Sequence, residues 1–182
     1  HFNKGNALLE IGQYKNAIAS FTEAIHINPQ FYKSYINRSN TFLKLKLYQE
    51  AIHDCQHAIK FNPECAEAYV NCGIALKELK QHQLAIQNFE TALKLNKNIH
   101  IVHGHILYAK ANICYWPTFK KDTEELANKI HLNQNASDCF PLLSILDAPS
   151  LHRKAAENFT KKYFPFNSEL SLISKHSTTS KI

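Results

Sequence analysis

The chain has no methionine, only four glycines and six prolines, and a single tryptophan in 182 residues. So few glycines and prolines leave few places where a helix must stop. The stretches between them are rich in Ala, Leu, Ile, Lys and Glu, which favour helix. No apolar run approaches the ~20 residues of a membrane-spanning helix, and no secretory signal opens the chain. The five cysteines, Cys55, Cys65, Cys72, Cys114 and Cys139, include no CxxC pair. Their odd number and scatter suit reduced thiols of a cytoplasmic protein, not a disulfide frame. No G-x-G-x-x-G or comparable phosphate-cradling loop is present, so no nucleotide cofactor is expected. The missing methionine, absent even at residue 1, suggests a piece of a longer protein or modified methionines left unwritten.

What is present suits a packed domain. Hydrophobic residues make up 45% of the chain and aromatics 11%, enough apolar material for a core. The net charge of +6 is spread evenly along the sequence without a basic block. A nucleic-acid binder would gather that charge on one face, so a nucleic-acid partner is not expected.

Self-comparison at a shift of 34 residues aligns residues 6–29, 40–63 and 74–97. Small residues recur at Gly5/Ser39/Gly73, Ala17/Ala51/Ala85 and Ala24/Ala58/Ala92. Larger ones recur at Leu8/Phe42/Leu76 and Phe21/Cys55/Phe89, and Pro29/Pro63 end their segments, with Lys97 breaking that column. The small residues let two antiparallel helices approach closely, the larger ones fill the space between neighbouring repeats, and proline stops the second helix. Helices are expected at about 1–11, 14–27, 32–45, 48–61, 66–79 and 82–95. This pattern resembles the tetratricopeptide repeat (TPR) family. The resemblance implies an all-α fold, a solenoid of helical hairpins wound into a right-handed superhelix with a concave side. Residues 1–98 then hold three repeats. His1 falls at the fourth position of the first, so further repeats are expected before it.

Residues 99–164 are expected to add capping helices and a linker. A first helix can form at 100–114, with Val102, Ile106, Ala109 and Ile113 on one stripe. Pro117 and Pro149 open helices of about 117–132 and 150–163. The polar tail 165–182 reads as a linker toward a further domain. Cys114-Tyr115-Trp116, Pro141-Leu142-Leu143 with Asp147 and Pro149, and Ala155-Ala156 together resemble the linker of SPINDLY-type O-linked N-acetylglucosaminyltransferases, where Cys-Asp-Trp stands for the present Cys-Tyr-Trp. The resemblance implies a parent protein that glycosylates proteins from a nucleotide sugar. Its catalytic lobes would lie beyond Ile182, leaving this chain no catalytic residue.

The candidate site is a column of asparagines. Asn3, Asn37 and Asn71 share the sixth position of successive repeats, on the first helix and toward the concave side; His105 departs from the column. Asn6 and Asn40 lie one turn on, with Ile74 replacing the third. A carboxamide both donates and accepts, so such a strip suits the backbone of an extended client peptide. The resemblance to O-GlcNAc transferases implies the same role. Phe2, Ile36 and Val70, where a carboxylate clamp would carry lysines, argue against one. His53 and His57 stand one turn apart, but two imidazoles make a poor metal site, so no metal is expected. His100, His103 and His105 form a second histidine cluster, read as packing or surface. No Ser/His/Asp or Cys/His set is arranged for catalysis. The expected partner is a protein or peptide, held by a substrate-recruiting arm or by a freestanding adaptor.

Overall fold

A computed structural model describes residues 1–132, 134, 136 and 147–163. These residues form helices and no strand, in the order α1 (Phe2–Glu10), α2 (Tyr14–Ile27), α3 (Tyr32–Lys44), α4 (Tyr48–Phe61), α5 (Ala66–Glu78), α6 (His82–Leu95), α7 (Val102–Asn112), α8 (Phe119–His131) and α9 (Pro149–Tyr163). The first six match the expected helices within a residue. α8 begins two residues after Pro117. The polar tail, the Pro141-Leu142-Leu143 motif and Cys139 lie outside the described residues.

Each hairpin closes where two small columns meet one large one. Ala17, Ala51 and Ala85 have no exposed surface, nor do Phe21, Cys55 and Phe89. A Cβ built on Gly5 would lie 2.5 Å from the Phe21 ring, and one on Gly73 would lie 2.5 Å from Phe89. Only glycine fits under those rings. In the middle repeat Ser39 has a Cβ, and the facing residue is the smaller Cys55.

The turns repeat as regularly as the helices. In each short corner the second residue is left-handed: Gly12 (φ 75°), Lys46 (φ 60°) and Lys80 (φ 63°). The next amide closes back on the helix, Gln13 N to Leu8 O at 2.8 Å, Leu47 N to Phe42 O at 2.9 Å and Gln81 N to Leu76 O at 2.9 Å. This is the αL termination that satisfies carbonyls left over at a helix end. The second helices end on Asn28, Asn62 and Asn96, all extended. Their Oδ1 atoms accept from the amides of Gln30, Glu64 and Asn98 at 3.1, 3.3 and 3.0 Å. The asparagine turn survives at Asn96 although Lys97 replaces the proline, because the side chain itself supports the bend.

α7 joins two cores. Val102 and Ile106 complete a cluster with Cys72, Leu76, Ala85 and Phe89. Leu107, on another face, packs with Leu126, Ile130, Ala136, Leu151 and Ala155, a second core shared with α8 and α9. Asn158 of α9 donates to the Ile130 carbonyl at 2.8 Å. Of the expected stripe, Val102, Ile106 and Ala109 are buried, while Ile113 is exposed at the helix end. Among the described residues no helix is long and apolar enough to cross a membrane.

Candidate functional site

The first helices of successive repeats lie against one another, α1 on α3, α3 on α5 and α5 on α7, and build one continuous wall. Asn3 is exposed and Asn6, Asn37 and Asn40 are half-buried, whereas Asn71 is buried at 7% exposure. The column therefore does not present five equivalent carboxamides.

The difference follows from what each sixth-position asparagine meets on the preceding repeat. In the first repeat the place of Ser39 is taken by Gly5, which has no side chain to bond, and Asn37 Nδ2 donates to Asn6 Oδ1 at 2.6 Å. Asn71 meets Ser39, whose hydroxyl accepts from Asn71 Nδ2 at 3.0 Å, with the Ile36 carbonyl at 3.5 Å. Ser39 in turn donates to the Ile36 carbonyl at 2.7 Å. Asn71 is thus drawn into the α3–α5 interface, and Asn40 is left without a hydrogen-bond partner among the described residues, as is Asn3. The signal for this in the sequence is Ser39, the one hydroxyl in the glycine column.

His105 takes the fourth place in the column and is 6% exposed, its ring stacked 5.4 Å from that of Phe89. Burial, with Lys77 adding to it, pushes the imidazole down to about 4, so it is neutral at neutral pH. His103 Nδ1 lies 3.8 Å from Glu125 Oε1, and burial followed by Lys129 lowers its pKa. His53 and His57 contact edge to face at 4.6 Å, and His57 stacks on Tyr35 at 5.2 Å. Among the described residues no three His, Cys, Asp or Glu side chains gather as metal ligands. Burial pushes the Cys55 thiol up to about 12 and Cys72 up to about 11. Neither offers a thiolate nucleophile.

The middle repeat also carries an ion pair that the sequence reading missed. Arg38 Nε donates to Asp54 Oδ2 at 2.7 Å and Nη2 to Oδ1 at 2.8 Å, while Nη1 donates to Thr22 Oγ1 at 2.8 Å. The Asp54 side chain is 2% exposed and that of Arg38 16%. The pair ties α3 to α4, and Thr22 ties it to the first repeat. Its signal was Arg38 at a position where the third repeat has Cys72.

Stacked helical hairpins at a constant interval, with their first helices lining one side, define a helical-repeat solenoid. Tetratricopeptide repeat models match residues 1–31, 32–65 and 66–99, and the chain belongs to the tetratricopeptide repeat family. It is similar to the TPR domain of Arabidopsis OM64, with 30% identity and a TM-score of 0.60 over 60% of this chain and 91% of that one. The first TPR of Spaghetti (RPAP3) bound to HSP90 peptide SRMEEVD aligns with 25% identity and a TM-score of 0.61, over 62% and 90%. A crystal structure of MamA protein shares the fold at 17% identity and a TM-score of 0.62, over 91% and 75%. No curated protein sequence matches the chain.

Proposed function

We propose that the chain is a protein-interaction module that holds an extended client peptide along the wall of first helices, with Asn3, Asn6, Asn37, Asn40 and Asn71 as its polar strip. The observation that carries this reading is the pair of partnerless carboxamides, Asn3 and Asn40, flanking Asn37, which has spent one N–H and keeps its carbonyl. These three offer donors and acceptors to peptide backbone. Asn6 and Asn71 hold the strip in place through their bonds to Asn37 and Ser39. The likeness to a TPR domain bound to an HSP90 peptide supports a peptide as the ligand. Because Phe2, Ile36 and Val70 occupy the places a carboxylate clamp gives to lysine, the client is gripped along its length and not by its C-terminus.

The test uses heptapeptides selected from a random library against the whole chain. Each net hydrogen bond contributes about 0.5–1.5 kcal/mol, so Asn37→Ala/Asn40→Ala should weaken binding roughly five- to 150-fold. The loss should be similar for peptides of unrelated sequence, and amidating the peptide C-terminus should change little. Unchanged affinity in a folded double variant contradicts the reading.

The finer proposal is that this module is the substrate-recruiting arm of a protein O-glycosyltransferase. It is supported by Cys114-Tyr115-Trp116, Asp147, Pro149 and Ala155-Ala156, and it assigns no catalytic residue, cofactor or metal to this chain. The alternative is a freestanding adaptor. A coding sequence that runs past Ile182 into two Rossmann-type lobes supports the first, and a stop codon there supports the second. In either case titration of this chain with UDP-GlcNAc should be flat.

A further inference from the structure

The fourth corner is where the repeat fails, and the failure opens a hollow. It begins like the others: Cys114 is left-handed (φ 53°) and Tyr115 N closes on Lys110 O at 2.9 Å. The regular corners hand over to a second helix at once. Here Trp116, Pro117 and Thr118 intervene before α8. Between α6 and this lengthened corner lies a half-enclosed hollow of about 310 Å³.

Its chemistry is mixed in a particular way. Ile86, buried on α6, and Ile113 supply apolar lining, and the Tyr115 ring, 43% exposed, supplies an aromatic face. Lys110 is already matched: its Nζ lies 2.8 Å from Asp122 Oδ2 and 3.1 Å from Thr118 Oγ1, and 5.7 Å from the centre of the Tyr115 ring. Glu90 is not matched. It lines the hollow, is exposed, and its carboxylate has no hydrogen-bond or ion-pair partner among the described residues. Gln83 adds a neutral amide at the same wall. An anionic ligand would meet Glu90 and a lysine already neutralised, and a purely apolar one would bury that carboxylate unpaired.

We propose that this hollow receives an arginine side chain of a partner polypeptide, its aliphatic stem on Ile86 and Ile113 and its guanidinium between Glu90 and Tyr115. Arginine suits the site better than lysine because a planar guanidinium pairs with a carboxylate while stacking on an aromatic face. The site is separate from the asparagine strip, being built on a second helix and a corner. It stands whether or not the groove holds peptide.

The probe is Ac-Ala-Arg-Ala-amide, compared with its citrulline counterpart, which keeps the shape and loses the charge, and with its lysine counterpart. Backbone amide shifts of the whole chain are followed by NMR, together with the fluorescence of Trp116, the only tryptophan. The arginine peptide should shift the amides of residues 83–90 and 113–118 saturably and leave those of Asn37 and Asn40 in place. Citrulline should bind about fivefold more weakly or worse, and lysine several-fold more weakly. Glu90→Gln and Tyr115→Leu, both at exposed positions, should each weaken the arginine peptide by about threefold, in line with a partly exposed ion pair and a cation–π contact. Equal binding of citrulline, tighter binding of lysine, shifts confined to the asparagine strip, or no saturable shift would each overturn the assignment.

Discussion

In the first and third repeats a glycine lies under a phenylalanine ring, Gly5 under Phe21 and Gly73 under Phe89. In the middle repeat a serine faces a cysteine, and beside them Arg38 grips Asp54. The backbone solution is the same in all three, but the outer hairpins close by steric fit and the middle one by polar contacts. The choice extends beyond the hairpin. Ser39 captures Asn71 and leaves Asn40 without a partner among the described residues, so the residue in the small column decides which carboxamides stay unbonded.

The sharpest way to break this comparison is to truncate the same column in both kinds of repeat. Phe89→Ala removes a wholly buried ring and should cost about 3–5 kcal/mol. Cys55→Ala, at the equivalent place, removes one sulfur and should cost only about 1 kcal/mol. Urea denaturation of the two variants reads the difference, and equal losses would mean that the middle repeat depends on its core as heavily as its neighbours do.

The polar closure has its own counterpart. Asp54→Ala leaves a largely buried guanidinium without its carboxylate. Breaking such a pair typically costs about 3–5 kcal/mol, and the partial exposure of Arg38 should bring this to about 2–3. Replacing Arg38 and Asp54 together by Leu and Ala should recover part of the loss, as measured by a double-mutant cycle.

Much of this architecture could be read from the 34-residue period. The bounds of the six repeat helices and the small-residue columns follow from local residue type, which is what spacing reports. Which asparagine stays available could not be read that way. Asn37 and Asn71 are the same residue at the same position, and their bonds depend on Gly5 or Ser39 in the preceding repeat. The left-handed column was hidden for a different reason. Gly12, Lys46, Lys80 and Cys114 share a backbone conformation across three residue types, only one of them glycine, so the persistence of the register to Cys114 shows only in φ. The Arg38–Asp54 pair is a contact between two columns, each of which looks like an isolated irregularity.

The asparagine column and its fourth member can also be compared by pH. An imidazole titrates near 6.5 when exposed, and His105 is lowered to about 4. Between these values the unfolded chain binds the extra proton, so acid favours unfolding. The stability is complete above pH 6.5 and is lost toward pH 4, on the order of 3 kcal/mol. His105→Asn, which restores the column, should flatten that part of the stability profile in urea titrations across the range. An unaltered profile would place the pH dependence elsewhere.

The smallest expected effect compares the first corner with the next two. Gly12 adopts its left-handed conformation without penalty, whereas Lys46 and Lys80 do not. Lys46→Gly and Lys80→Gly should each stabilise by about 0.5 kcal/mol, the relief of strain being partly offset by a freer unfolded chain. A small rise in melting temperature checks this, and a fall would mean that the lysine side chains contribute more than their backbone costs.

The central claim is that the groove reads peptide backbone, and the most direct measurement alters backbone alone. A library-selected heptapeptide is resynthesised with single amides replaced by esters, which removes one N–H donor at a time and keeps every side chain. Against the unaltered chain, affinity should fall about two- to tenfold at one or two central positions, the worth of one net hydrogen bond. Against Asn37→Ala/Asn40→Ala the same esters should cause no further loss. Esters tolerated at every position, with affinity set instead by truncation of the peptide's side chains, would contradict the account.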